Sequence, residues 1–181
     1  MAVVPQPGDV VFQNTPGQQA MAITAATDSI YTHCGVVMHR GGKPFVLEAV
    51  QPVQIIPLAQ WKARSPKTFK VMRLKDPSVL TPIAFAKAER WARQNVGKDY
   101  DGRFQWSEDR MYCSELVWKV FKHATGVELS PVRRFADFNL EHPRVKKLIV
   151  QRYGSLQHFP KHEKVVAPSD LEQSKLLVEV R

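Results

Sequence analysis

The stretch HCGVVMHRGGKPFVLEAV, residues 33–50, places two runs of strand-forming residues on either side of Gly41-Gly42. A Gly-Gly pair between such runs is typical of a two-residue hairpin turn, because glycine can take positive φ at both positions. With the glycines as the turn, Arg40 faces Lys43, and the alternate pairs behind them are apolar: Met38–Phe45, Val36–Leu47 and Cys34–Ala49. A slip of one residue would mix apolar and polar side chains on each face. The sequence therefore predicts a β-hairpin in this register, with Cys34 on its core-facing side.

The opposite face of the predicted hairpin carries a histidine and a glutamate. His33 and Glu48 are diagonal neighbours there, at a backbone separation of about 7–8 Å that their side chains can bridge. Gly35 lies directly opposite Glu48 and leaves room for the contact. A carboxylate in this position can orient the imidazole and favour its charged form, as in a catalytic triad that lacks only its nucleophile. A cross-strand ion pair at the surface is the alternative interpretation.

The chain has two cysteines, and their positions lead to different expectations. The side chain of Cys34 leaves the strand on the face away from His33, so we expect Cys34 to be structural. Cys113, in Tyr112–Val117, stands where a helix is predicted to begin. Unpaired N–H groups and a partial positive charge at that position favour a thiolate and can hold an oxyanion. Packing on the apolar side of the helix is the alternative for Cys113.

The rest of the chain predicts an α+β fold, with a mostly antiparallel sheet packed against helices. Further strands are expected in four places: 9–13, 53–56, 68–74 and 145–150. Helices are expected in three places, from their cap, proline and glycine signals: 81–97, 113–125 and a short one from 169 onward. Residues 14–32 are rich in Thr, Gln, Ala and Gly, and they predict a loop with at most one helical turn.

Length and composition indicate an ordinary globular protein. The 181 residues, 44% hydrophobic and 24% charged, predict one domain over 1–181. No apolar run approaches the ~18 residues of a transmembrane helix, and the N-terminus lacks the basic head and apolar core of a signal peptide. Two cysteines make no disulfide framework, which favours a reducing compartment. We therefore expect a cytoplasmic location.

The net charge of +9 raises the question of nucleic-acid binding. The basic residues are spread along the chain, and their densest clusters are the pairs Arg133-Arg134 and Lys146-Lys147. They are not interleaved with aromatic residues in the manner of single-strand-binding proteins. We expect no nucleic acid as the main partner and a weak association with anionic surfaces at most. The oligomeric state stays open.

Three histidines near the C-terminus could suggest a zinc site. His158 and His162 are four residues apart, and His142 precedes them. The Phe159-Pro160 pair between the first two disrupts a helix, and no cysteine or carboxylate cluster completes a ligand set. We therefore expect surface histidines, and neither a metal nor another cofactor.

The order of several motifs resembles that of the YiiX-type permuted papain-like hydrolases. These belong to the NlpC-type superfamily of cysteine peptidases and amidases, which also includes lecithin:retinol acyltransferase. The segments that carry the resemblance cover nearly the whole chain: Pro7–Phe12, Ser29–Val37, Leu47–Ala49, Gly97–Asp101, Tyr112–Val117 and Val166–Ser174. The resemblance implies a circularly permuted papain-like (NlpC-type) fold.

The resemblance also implies roles for individual residues. In unpermuted relatives the nucleophilic cysteine precedes the histidine, whereas here His33 and Glu48 precede Cys113, as expected of a circular permutant. Cys113 is then the nucleophile, His33 the general base and acid, and Glu48 the orienting third member. Superfamily members often place a tyrosine about a dozen residues before the cysteine to help hold the oxyanion, and Tyr100 matches it.

The function expected from these residues is a cysteine hydrolase. It would cleave a peptide, isopeptide or acyl-amino amide bond, or an ester bond, through an acyl-enzyme on Cys113, in a small-molecule, peptide or lipid-amide substrate. An acyltransferase that passes the same thioester to a lipid or amine acceptor is the alternative, and a non-enzymatic basic binding module is the second. Four aromatic residues could line a pocket or belong to the core: Tyr31, Trp61, Phe104 and Trp106.

Overall fold

A six-stranded antiparallel sheet forms the centre of the molecule, in the computed structural model that describes residues 4–181. Its strands, in chain order, are β1 Val10–Gln13, β2 His33–Arg40, β3 Lys43–Glu48, β4 Gln54–Pro57, β5 Lys70–Leu74 and β8 Leu177–Glu179. The spatial order is β4-β3-β2-β1-β5-β8. Two short strands, β6 Arg133–Arg134 and β7 Lys164–Val165, pair separately. The predicted antiparallel sheet is thus confirmed.

Six α-helices surround the sheet among the described residues. They are α1 Gln18–Thr27, α2 Leu58–Ala63, α3 Pro82–Asn95, α4 Cys113–Thr125, α5 Pro143–Tyr153 and α6 Pro168–Glu172. None of the helices in residues 4–181 has the length and apolar character that a membrane crossing requires.

The hairpin register predicted from residues 33–50 is confirmed. Strands β2 and β3 pair from Val36–Leu47 to Arg40–Lys43, and Gly41 and Gly42 take φ values of 56° and 75° in the turn. At the other end of β2, His33 and Cys34 pair with Gln13 and Phe12 of β1. The catalytic candidate His33 therefore lies at the end of a strand in the middle of the sheet.

Gly35 makes the close approach of β2 and β3 possible. A Cβ atom there would lie 2.4 Å from Val46 Cγ1 and 2.8 Å from the Leu47 carbonyl oxygen, whereas Glu48 Cβ would be 3.6 Å away. The residue opposite Glu48 is thus a glycine for a different reason than the one expected. The space beside Gly35 is occupied mainly by Val46 and Leu47 of β3, and only to a smaller extent by the Glu48 side chain.

Both faces of the sheet are covered by helices. On one face, Cys34, Val36 and Leu47 belong to a buried cluster with four apolar residues of α4: Leu116, Val117, Val120 and Phe121. On the other face, Val11, Val37 and Val46 pack with Trp61 of α2. Because α2 covers that face, Glu48 is fully buried and the His33–Glu48 pair is not a surface ion pair.

Two predictions of local structure are wrong. Residues 14–32, expected as a loop, contain the ten-residue helix α1, whose alanines have the highest helix propensity. Residues 145–150, expected as a strand, lie inside α5. The side chain of His142 caps the start of α5, proline follows at its first position and Gly154 ends it, so the end signals outweigh the β-branched residues between them. The short C-terminal helix exists, but it begins at Pro168, one residue before Ser169.

Candidate active site

Cys113 is the first residue of α4, as its sequence context predicted. Tyr112 occupies the N-cap position, and its backbone N–H donates to Glu115 Oε2 at 3.3 Å. Cys113 is only 3% exposed, and its backbone N–H belongs to the first turn, whose donors have no acceptor within the helix. The thiol therefore sits in the positive field of a helix start.

His33 and Glu48 form a short, buried hydrogen bond. Nε2 of His33 lies 2.6 Å from Oε2 of Glu48, and the two side chains are 8% and 0% exposed. Glu48 also accepts hydrogen bonds from Trp61 Nε1 at 2.9 Å, Gln54 Nε2 at 2.9 Å and Arg64 Nη1 at 2.8 Å. Four donors thus hold one buried carboxylate. Because Glu48 is fixed in this way, it determines which edge of the His33 imidazole faces it.

The charges of the three side chains depend on one another. Burial opposes ionisation of Glu48, but the contacts with His33, Gln54 and Arg64 outweigh it and lower its pKa to about 2. Burial also disfavours the imidazolium, yet Cys113 and Glu48 raise the pKa of His33 to about 9. The pKa of Cys113 is well below its ordinary value, because hydrogen bonding by Cys34 and the charge of His33 outweigh burial. The arrangement favours a thiolate–imidazolium pair at neutral pH.

Trp61 is part of the site, although its sequence context offered no reason to prefer this over a place in the core. It is fully buried, and its ring stacks on His33 with a centroid distance of 5.8 Å and an interplanar angle of 24°. Its indole N–H donates to the same Glu48 oxygen that contacts His33. The only sequence signal that could have found it is a tryptophan, which needs a buried acceptor, close to a buried glutamate.

Tyr100 is tied to the segment that leads into α4. It forms an isolated bridge with Met111, and its backbone N–H donates to Gln51 Oε1 at 2.7 Å. Burial and the nearby Cys113 raise the pKa of its phenol well above the ordinary value, so the hydroxyl keeps its proton. The structure therefore places a neutral hydroxyl close to the candidate nucleophile.

Cys34 lies beside Cys113, which the sequence argument did not predict. Cys34 is fully buried on the core-facing side of β2, as expected, but α4 begins at the end of that strand, so Cys113 reaches both Cys34 and His33. Burial and the contact with Cys113 raise the pKa of Cys34 well above its ordinary value. Cys34 therefore stays a thiol next to the ionised Cys113.

An apolar cavity of about 110 Å³ opens beside Cys113. Its walls come from α1, α5 and the start of α4, and four phenylalanines contribute to them: Phe104, Phe135, Phe138 and Phe159. Arg152 is the one basic side chain among the described residues that line it. Of the four aromatic residues proposed for a pocket, Phe104 lines this cavity, whereas Tyr31, Trp61 and Trp106 do not.

The chain is similar to a solved structure and to a curated protein from Escherichia coli. The crystal structure of the metalloprotein yiiX from Escherichia coli O157:H7 matches with a TM-score of 0.90 and 38% sequence identity, over 98% of this chain and 97% of that chain. The uncharacterized protein YiiX of Escherichia coli K12 is 40% identical over 164 residues, which are 91% of this chain and 80% of the relative.

The histidines, cysteines and carboxylates that the structure describes do not gather into a recognisable metal site. Within residues 4–181, no group of three or more histidine, cysteine, aspartate or glutamate side chains is arranged to hold an ion. His158 and His162 are exposed, and Nδ1 of His142 accepts the Arg144 N–H at 3.2 Å. Although the solved relative is called a metalloprotein, no donor set within residues 4–181 fits a metal, and the proposed reaction has no step through one.

The sequence pattern of one family covers almost the whole chain. The family is described as permuted papain-like amidase enzymes, YaeF/YiiX, C92, and it matches residues 4–180. The fold is the permuted papain-like fold that the sequence motifs implied. The chain belongs to the C92 family of permuted papain-like amidases and is a cysteine hydrolase.

Proposed function

We propose that the enzyme cleaves an amide or ester bond through a thioester on Cys113, with His33 and Glu48 as the other members of a triad. The observation that carries this proposal is the buried hydrogen bond of 2.6 Å between His33 and Glu48, beside a cysteine at a helix start. Glu48 holds Nε2 of the imidazole, which leaves Nδ1 to exchange protons with the thiol and the substrate.

The first half of the reaction forms the acyl-enzyme. His33 holds the proton of the Cys113 thiol, and the thiolate attacks the substrate carbonyl carbon. The backbone N–H of Cys113 and the Tyr100 hydroxyl stabilise the resulting oxyanion. When the oxyanion collapses, the bond to the leaving amine or alcohol breaks, and His33 donates its proton to that group. Glu48 keeps the imidazole oriented while its charge changes.

The second half releases the acid. Water attacks the thioester carbonyl while His33 accepts one of its protons, and the same donors stabilise the second oxyanion. The bond between sulfur and carbonyl carbon then breaks, and the departing Cys113 thiolate pairs again with the imidazolium of His33, which keeps the proton taken from water. If an amine or alcohol attacks in place of water, the product is a transferred acyl group. Product analysis with and without such acceptors separates the two reactions, and a purely hydrolytic product set rejects transfer.

The apolar cavity supports a substrate with an apolar group next to the scissile carbonyl. Its volume of about 110 Å³ is of the same order as a cavity of about 150 Å³ that holds benzene. Since Cys113 and Phe104 both line it, an apolar side chain or acyl group that fills the cavity would bring its carbonyl to the thiol. Family membership in an amidase group sets aside the non-enzymatic alternative.

Thiol labelling tests the assignment of the nucleophile. Iodoacetamide at pH 7, followed by peptide mass spectrometry, should modify Cys113 in the wild type and in Cys34→Ala. Cys113→Ala should lose rapid labelling and all hydrolysis of an activated ester such as p-nitrophenyl butyrate. Cys34→Ala removes the other buried thiol, and Cys113 should still be labelled there, although more slowly, because the hydrogen bond that Cys34 makes with the thiolate is lost. Rapid labelling that persists in Cys113→Ala and disappears in Cys34→Ala would reverse the assignment.

A further inference from the structure

Two side chains from different helices form a chain of hydrogen bonds that ends on Tyr100. Nε2 of Gln19, in α1, donates to the Tyr100 hydroxyl oxygen at 2.9 Å. Oε1 of Gln19 in turn accepts from Nη2 of Arg152, in α5, at 3.2 Å. Neither Gln19 nor Arg152 was a candidate in the sequence, because α1 was not predicted as a helix and α5 was expected as a strand.

The direction of each hydrogen bond in this chain is fixed by chemistry. The guanidinium of Arg152 has donors only, so the Gln19 group that faces it must be the carbonyl oxygen. The Gln19 amide nitrogen then faces Tyr100 and donates to the phenol oxygen. Because that oxygen already accepts a hydrogen bond, the single phenolic proton remains available for another acceptor. The acceptor required by the proposed reaction is the oxyanion formed on the substrate.

The fold makes room for the Arg152 side chain. A Cβ atom on Gly102 would lie 2.2 Å from Arg152 Nη1, and the backbone at Gly102 does not have the positive φ that would itself require glycine. Arg152 forms no ion pair within residues 4–181, and its Nε is buried without a hydrogen-bond partner there. Such a placement is costly for a charged group. Its positive charge acts on Tyr100 and opposes the rise in the phenol pKa.

We propose that Gln19 and Arg152 are positioning residues that direct the Tyr100 hydroxyl proton toward the oxyanion. Arg152 fixes the orientation of the Gln19 amide, and Gln19 fixes the phenol. The proposal rests on the proposed function, because it takes Tyr100 as an oxyanion donor to a substrate bound at Cys113. It adds a requirement that the triad alone does not have, namely an intact contact between α1 and α5.

Two reactions of the same thiol separate positioning from a general structural role. Acylation by p-nitrophenyl butyrate passes through an oxyanion, whereas alkylation by iodoacetamide does not. Tyr100→Phe should slow acylation about 100-fold, as expected for the loss of one oxyanion donor. Gln19→Met keeps the side-chain length but cannot donate, and it should slow acylation about five- to tenfold, mainly in kcat. Alkylation of Cys113 should stay unchanged in both variants.

A double variant and a conservative variant complete the experiment. Adding Gln19→Met to Tyr100→Phe should cause no further loss, because no phenolic proton is left to position. Arg152→Lys keeps a charged donor and should retain more acylation activity than Arg152→Met. The proposal is overturned if Gln19→Met slows alkylation as much as acylation, acylates at the wild-type rate, or acts additively with Tyr100→Phe. Normal acylation by Tyr100→Phe would instead remove Tyr100 from the mechanism, and absent labelling at Cys113 would reject the nucleophile.

Discussion

Replacing Glu48 with glutamine should lower the stability of the fold and also remove the negative charge that holds the His33 imidazole. Glu48→Gln keeps the size of the side chain but removes the charge that four donors surround. The fold lowers the pKa of Glu48 from 4.5 to about 2. Because a difference of one pH unit corresponds to about 1.4 kcal/mol, the native contacts favour the carboxylate by about 3 kcal/mol. A loss of this size is a large part of the ~5–15 kcal/mol that stabilises typical domains.

The lowered pKa of Glu48 determines how its contribution to stability changes with pH. Because the pKa of Glu48 is lower in the folded state, its stabilising contribution is fully present above pH 4.5 and is lost as the pH falls toward 2. The difference in unfolding free energy between wild type and Glu48→Gln should therefore be about 3 kcal/mol at pH 7 and should shrink below pH 4.5. Above pH 9 the difference should also narrow, since His33 then loses the proton that it shares with Glu48.

Urea denaturation followed by far-ultraviolet circular dichroism measures these differences. Glu89→Gln is the matched control, because Glu89 pairs with Arg40 at 2.9 Å on the surface and its loss should cost less than about 1 kcal/mol. A Glu48→Gln variant as stable as this control at pH 7, or one whose loss of stability stays constant from pH 7 to pH 3, would show that the native contacts do not favour the Glu48 carboxylate.

Three further predictions concern the surroundings of the triad. Trp61→Phe keeps the stacking on His33 but removes a donor to Glu48, so acylation should slow about tenfold; an unchanged rate would mean that the indole N–H is dispensable. Gly35→Ala should lower the unfolding free energy by about 1–3 kcal/mol in urea, since its Cβ would overlap Val46 Cγ1 and the Leu47 carbonyl oxygen; wild-type stability would show that β3 can shift. Alkylation of Cys113 should be nearly constant from pH 6 to 8, because its pKa is low; a rise of about tenfold per pH unit would indicate an ordinary thiol.

The sequence predicted those parts of the site that depend on local pattern. The glycine turn set the hairpin register, and that register put His33 and Glu48 on one face. Cys113 was placed at the start of α4 because helix end signals are local and strong. The family resemblance added Tyr100, which no spacing argument had singled out. These four residues needed only short-range information or a known motif.

The remaining parts depend on contacts between distant segments. Trp61, Gln19 and Arg152 reach the site only because α2 covers one face of the sheet and α1 packs on α5. Nothing in the sequence next to these three residues distinguishes them from ordinary core or surface residues. The α1 segment lacks a periodic apolar stripe, so its helix is visible only from alanine propensity and from the partner that it packs against. The predictions on partners and cellular location stay open.

Because separate cores lie on the two sides of the sheet, the surroundings of His33 and of Cys113 can be changed by different substitutions. Adjacent residues of β2, His33 and Cys34, point into different layers, so His33 stacks on Trp61 of α2, whereas Cys34 packs with Cys113 and the other buried residues of α4. Substitutions around Trp61 and Arg64 should therefore change the basicity of the His33 imidazole without moving Cys113. Substitutions along the buried side of α4 should adjust the position of Cys113 and leave the imidazole in place.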